Sequence, residues 1–345
     1  MVRISGTQAD GFGPVRETFA EMLADGELGA SAAVHVDGVA VVDLWGGHLD
    51  QARSTPWQRD TIVNVFSITK PMSALCALIL ADRGELDLDA PVARYWPEFA
   101  AAGKGEVLVR HLLAHTAGLP TWTEPMTVAD LYDWERATSL LAAQAPAWTP
   151  GTDAGYHAIT QGFLVGEVVR RVTGRTLGEF FAEQVAGPVG ADFHIGLAER
   201  HDHRVAPVFP PAPDETVGAD EQGNPHVDPT EANTTAWRRA GLPAAGGHGN
   251  ARSVGEVQSV LACGGEVRGV RLLSEAGCER VLAEQFRGKD RVLGVPMRWG
   301  LGYGLLGGQL PNPRTCCWGG WGGSMVVVDM DARMTVSFTM NQMFP

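Results

Sequence analysis

Ser67 and Lys70, in Asn64-Val65-Phe66-Ser67-Ile68-Thr69-Lys70-Pro71, pair a hydroxyl with an amine one helical turn later. A serine hydroxyl is a poor nucleophile at neutral pH and needs a neighbouring base. Residues i and i+3 share one face of a helix, with side-chain origins about 5–6 Å apart. A helix opened by Ser67 therefore brings Lys70 within reach of the hydroxyl. A lysine whose pKa is lowered by burial or nearby positive charge can accept the serine proton. The Ala- and Leu-rich run from Met72 to Leu80 suits a buried helix. Pro71 fits only the first helical turn, where its missing N–H breaks no bond. This reading puts Ser67 at the helix N-terminus, whose positive dipole end favours a developing oxyanion. S-x-x-K alone is a short motif that recurs by chance. Its weight comes from two further segments.

The first is Thr149-Pro150-Gly151-Thr152-Asp153-Ala154-Gly155-Tyr156-His157-Ala158. A Pro-Gly turn delivers Tyr156, and an apolar helical pattern follows from Gly162 to Val169. Tyr156 thus stands at a loop-to-helix junction, where reactive groups are displayed. Beside a lysine ammonium a tyrosine ionises more easily and can shuttle a proton. The plainer alternative is a packing tyrosine with a satisfied hydroxyl. The second segment is Cys316-Cys317-Trp318-Gly319-Gly320-Trp321-Gly322-Gly323-Ser324, ahead of Met325 to Asp329. Four glycines bordering a β-branched run read as a strand whose backbone something approaches closely. Close approach beside a nucleophile is what an oxyanion hole requires. A Gly-rich hairpin with packing tryptophans is the plainer alternative.

In order and spacing the three segments resemble the serine β-lactamase and penicillin-binding-protein superfamily, and most closely its class C-like esterases, the family VIII carboxylesterases. Class C relatives carry Y-x-N and K-T-G as second and third motifs; here they read Tyr156-His157-Ala158 and Trp318-Gly319-Gly320. W-G-G in the third position is a feature of several family VIII esterases. The stretches His111 to Leu119 and Met297 to Gly304 look like the same group. The resemblance runs from the hairpin near residue 32 to Asn341. It implies an α/β (α+β) fold of the β-lactamase/transpeptidase type, a central antiparallel sheet flanked by helices with an inserted helical domain. It also implies a serine hydrolase that cleaves carboxylic esters through an acyl-enzyme on Ser67, with Lys70 and Tyr156 sharing the proton transfers. The backbone N–H groups of Ser67 and Trp321 would form the oxyanion hole, and Trp318, Gly319, Gly320 and Ala158 would line the substrate site. Trp318 replaces the third-motif lysine, and Ala158 lacks the amide of Y-x-N. Both departures weigh against β-lactamase or D-amino-acid peptidase activity and favour neutral, apolar acyl or alcohol groups. Acylation alone does not separate a hydrolase from an acyltransferase that passes the acyl group to an amine or alcohol. A non-catalytic binding module on the same fold would not need Ser67, Lys70 and Tyr156 together.

Those groups need a scaffold. The chain has 345 residues, 45% of them hydrophobic, enough for a sizeable core. Phe12 to Leu23 reads as an amphipathic helix. Ala32–Val36 and Val39–Trp45 read as a hairpin across Asp37-Gly38, a favoured tight turn. Ser67 to Asp82 is the nucleophile helix, Ser253 to Ala262 another with Ser253 as N-cap. Pro207 to Ala236, polar and Pro-rich, reads as a long loop. Met325–Asp329 and Met334–Met340 close the chain as strands around Asp331-Ala332-Arg333. This order suggests an α/β domain from residues 1–66 and 190–345, a mainly helical domain from 67–189, and a site at their seam. Relatives usually carry a C-terminal helix on the sheet, whereas this sequence ends at Pro345 soon after its last strand.

The formal net charge of −13 argues against nucleic acid and anionic membrane partners. No signal-like N-terminus or apolar span is evident. The five cysteines include no C-x-x-C pair, which suits reduced thiols and a cytoplasmic enzyme. No cofactor or metal is expected; His201-Asp202-His203 lacks a third ligand pattern nearby. His115 reads as structural rather than as the base, and His157 as facing away from Ser67. The partner expected is a small-molecule ester; the oligomeric state is left open.

Overall fold

A computed structural model describes residues 3–211 and 223–344. Its frame is a nine-stranded sheet in which every neighbouring pair is antiparallel. The order across it is Ile4–Gln8, Val39–Gly47, Gly29–Val36, Met334–Met340, Met325–Asp329, Thr315–Gly319, Gly304–Leu305, Pro296–Trp299 and Phe286–Lys289. Both ends of the chain thus meet in one sheet, where Met334–Met340 pairs with Gly29–Val36. The 29–47 hairpin turns at Asp37 (φ 51°) and Gly38 (φ 73°), two left-handed residues as a tight hairpin turn demands. The strand Ile4–Gln8, which pattern reading passes over, adds to the outer edge of this hairpin.

One face of the sheet is covered by helix Ala251–Ala262, which packs on Gly29–Val36 and Met334–Met340. Its cap corrects the sequence expectation. Asn250 is the N-cap, its side chain accepting from Ser253 N–H, and Ser253 Oγ answers by accepting the Asn250 N–H. The motif is a reciprocal capping box that starts three residues earlier than expected. The nucleophile helix runs Thr69–Asp82 and is buried on all sides from Thr69 to Leu80, as its near-continuous apolar sequence requires. It packs against Thr160–Thr173 and Leu177–Phe181 on one side and Glu275–Glu279 on another. Between residues 83 and 190 the chain is mainly helical, short α-, 3₁₀- and π-helical pieces around the longer helix Thr160–Thr173. One large hydrophobic cluster runs without a break from this helical part to the tryptophans of the sheet.

The expected loop Pro207–Ala236 is only partly loop. A 3₁₀ turn at Pro229–Asn233 and helix Thr235–Ala240 occupy its second half. Residues 212–222 of it lie outside the described residues. Among the described residues no helix is long and apolar enough to cross a membrane.

Candidate active site

Ser67 does not itself open the helix. It lies in a turn two residues earlier, in the bonds Ile68 N–H to Val65 O, Thr69 N–H to Phe66 O and Lys70 N–H to Ser67 O. The cause is Phe66, held at φ 44°, a backbone region costly for a bulky residue. Three bonds hold it there. Phe66 N–H donates to Asn64 Oδ1 (3.1 Å), Thr69 Oγ1 donates to Phe66 O (2.5 Å), and Gly247 N–H donates to Thr69 Oγ1 (2.8 Å). The resulting sharp bend lifts Ser67 out of the strand-to-helix connection while keeping it one turn from Lys70.

Lys70 is fully buried, and its Nζ has three neighbours: Ser67 Oγ at 2.9 Å, Ala158 O at 2.7 Å and Ala244 O at 3.1 Å. Burial pushes its pKa well below the ordinary lysine value. A neutral amine has two N–H bonds and one lone pair. With the two carbonyls accepting the N–H bonds, the lone pair is left for the Ser67 hydroxyl. Tyr156 Oη donates to the same Ser67 Oγ at 2.7 Å. Burial raises the Tyr156 pKa, with hydrogen bonding from Ser67 and Trp318 opposing it. This corrects the expectation of an easily ionised tyrosine. A lysine whose charged form is disfavoured does little to help the phenol ionise, and Tyr156 faces Ser67 as a hydrogen-bond donor.

Around Tyr156 lies a cage of aromatic rings. His115 stands 5.0 Å from it, Trp299 6.2 Å with planes only 17° apart, and Trp318 6.2 Å. Trp318 also stacks on His115 (5.6 Å) and contacts Trp299 (5.4 Å). Only 5% exposed, Trp318 is part of this cage; Trp321, 43% exposed, is at the surface. His115 is buried and its pKa pressed well below the usual imidazole value by burial. Its Nδ1 accepts the His157 N–H. His157 in turn accepts from Leu119 N–H through Nε2 and is engaged with the region behind Tyr156, not with Ser67.

Trp318 and Gly319 end the strand Thr315–Gly319, and Gly320 and Trp321 form the turn after it. A Cβ on Gly320 would strike the Val65 carbonyl oxygen, so the turn lies directly against the strand leading to Ser67. Trp321 meets the Phe66 ring edge-on at 5.5 Å. Gly320 N–H is committed to Ser324 O (2.6 Å). Among the described residues neither Ser67 N–H nor Trp321 N–H donates to a protein acceptor. The turn that carries the Trp321 N–H lies against the Val65–Phe66 backbone that leads to Ser67; backbone donors aimed at a reacting carbonyl oxygen can hold a developing oxyanion.

Sequence reading missed three contributors, Ala244, Trp299 and Asp290, and gave Ala158 a different part. Ala158 acts through its carbonyl, not through the amide it lacks. Ala244 supplies the second carbonyl. Trp299 stacks on Tyr156. Asp290 accepts the Tyr156 backbone N–H at 2.9 Å. Main-chain carbonyls leave no trace in residue type. Asp290 does leave one, an Asp opening a short segment that ends in Gly294, the pattern of a side chain capping its own turn. Of the unused motif His201-Asp202-His203, Asp202 is paired with Arg239 and Arg238, and His201 contacts Arg204. Among the described residues no group of three or more His, Cys, Asp or Glu could hold a metal ion.

The β-lactamase family profile matches residues 15–345, nearly the entire chain. The chain belongs to the β-lactamase family. Within it, a solved family VIII carboxylesterase shares 45% identity at TM-score 0.94, covering 99% of this chain and 94% of that one. The esterase/β-lactamase LipL of Mycobacterium tuberculosis is 33% identical, covering 99% of this chain and 83% of its own length. Monacolin J acid methylbutanoyltransferase of Aspergillus terreus is 31% identical over only 43% of this chain and 41% of its own length. This β-lactamase-family protein is thus a serine hydrolase of the esterase type, with acyltransferases as more distant relatives.

Proposed function

We propose that the protein hydrolyses neutral carboxylic esters through an acyl-enzyme on Ser67. The observation that carries this is the convergence of Lys70 Nζ (2.9 Å) and Tyr156 Oη (2.7 Å) on one serine hydroxyl. Lys70 Nζ takes the Ser67 proton as Oγ attacks the ester carbonyl. The oxyanion is held by the N–H groups of Ser67 and Trp321. As the C–O bond breaks, the leaving alkoxide takes a proton from Tyr156 while Lys70 returns its proton to the phenol. Water then attacks the acyl group, its proton passing through Tyr156 to Lys70 and from there back to Ser67 Oγ. The products are one carboxylic acid and one alcohol, and every residue regains its starting state. The likeness to a carboxylesterase at 45% identity supports this reading.

Substrate charge follows from what surrounds the oxyanion turn. Where β-lactamases present a lysine to the substrate carboxylate, this chain has a buried indole. A charge-assisted hydrogen bond is roughly twice as strong as a neutral one, so a carboxylate-bearing lactam loses its main partner. Nitrophenyl acetate or butyrate should be cleaved far faster than a cephalosporin is opened, compared as kcat/KM at neutral pH. A cephalosporin preferred over every ester tried would sink this assignment.

A further inference from the structure

We infer that Asp290 is a positioning residue for the Tyr156 proton shuttle: it binds both the backbone of Tyr156 and the indole stacked on the Tyr156 ring. The inference rests on the role proposed for Tyr156 above. Asp290 opens the six-residue link, 290–295, between the edge strand Phe286–Lys289 and its neighbour Pro296–Trp299. Its side chain is fully buried. Oδ1 accepts three backbone N–H groups, those of Tyr156, Val292 and Leu293, each at 2.9 Å. Oδ2 accepts the Trp299 indole N–H at 3.0 Å. All four bonds run from N–H donors to the two carboxyl oxygens.

The geometry goes beyond capping a turn. A carboxylate that merely closed its own loop would need only Val292 and Leu293. This one spends a bond on Tyr156, 134 residues away in sequence, and another on the ring lying 6.2 Å from the Tyr156 ring at 17°. The hairpin tip is also fastened to the same segment from outside. Arg291 N–H donates to Ala154 O at 2.9 Å, the Arg291 side chain pairs with Asp153 and covers the Trp148 ring, and Gly155 leaves room for Val292 where a Cβ would crowd it. Tyr156 comes from a loop and has no helix of its own to hold it; the nearest begins at Thr160. Its hydroxyl must nonetheless stay within hydrogen-bonding distance of Ser67. Asp290 supplies what the loop lacks, a fixed acceptor for the backbone and a fixed wall for the ring.

Asp290→Asn tests this, because the bonds dictate how it fails. The Asn oxygen can still face the three backbone donors, but its NH2 then confronts the Trp299 N–H, donor against donor. Trp299→Phe removes that donor and keeps a stacking ring, so the double variant relieves the clash. Expected for D290N is a fall in kcat of about 100-fold, the cost of a displacement near 1 Å at a reacting group. KM for nitrophenyl butyrate should stay within about threefold, since ground-state binding is untouched. D290N/W299F should regain at least roughly tenfold of that loss, and W299F alone should lose less than D290N. Melting curves on the same proteins separate positioning from folding. The proposal is overturned if folded D290N keeps kcat within about threefold of the unaltered enzyme. It is equally overturned if kcat and Tm fall together while KM rises and the double variant regains nothing. Y156F run in parallel keeps the two readings apart. If it is inactive while D290N is active, only the role of Asp290 falls; if it is fully active, the role of Tyr156 falls and Asp290 with it.

Discussion

Lys70 and Tyr156 divide one task by charge state. Burial lowers the lysine pKa and raises that of the phenol, which favours one base and one acid on a common hydroxyl. Arginine at position 70 would remain charged and could accept nothing. Lys70→Arg should therefore lower kcat at least roughly 100-fold, as for a removed general base, and near-normal turnover would place the base elsewhere. Tyr156→Phe, which keeps the ring and removes only the hydroxyl, should show a loss of similar order. The sign of the pH dependence is set by the same lysine. Activity needs its unprotonated form, so kcat/KM should fall on the acid side as Lys70 takes up a proton. Ser67, Lys70 and Tyr156 were legible as a chemical set because type and spacing carry them. Their protonation states were not, because these depend on burial and on two main-chain carbonyls that no residue type announces.

The elements matter through two close contacts. One is the bend at Phe66 that raises Ser67 ahead of Thr69–Asp82. The other is the turn at Gly320, pressed on Val65 O. Any side chain at 320 must push that turn off the strand and take the Trp321 N–H with it. Gly320→Ala should therefore cost roughly 100- to 1,000-fold in kcat, the range for losing one oxyanion donor. Retained kcat with a raised KM would instead make the turn a substrate-binding edge. Helices and the 37–38 hairpin were readable from period and turn chemistry, and so were the paired strands Met325–Asp329 and Met334–Met340. The cap at Asn250 was misplaced because Ser253, itself a good cap residue, is the reciprocal partner. The start of the nucleophile helix was misplaced because a left-handed phenylalanine has no sequence signature.

At the scale of the whole molecule, several ionisable groups are buried without charge. His35 and His157 are pressed down to about 4 and His248 to about 3, each chiefly by burial. An unfolded chain takes up these protons near pH 6.5 while the folded protein refuses them until about pH 4. Each such histidine thus gives up about 1.4 kcal/mol of stability per pH unit within that window. Glu27 acts in the opposite sense. Burial raises it to about 7, so between about 4.5 and 7 the folded state holds a proton that the unfolded state has lost. His111 and His115 are lowered as well and Glu256 is raised, so the histidines outweigh the two carboxyls, and Tm should drop as pH falls from 6.5 toward 4. A flat or rising Tm over that range would mean the histidines are charged or reached by water.

All of this rests on Ser67 as the atom that is acylated. Mapping a serine-directed fluorophosphonate by mass spectrometry of the digested, labelled protein tests it most directly. A single adduct on Ser67 is the predicted result. An adduct on another serine, with Ser67 unmodified, would contradict it.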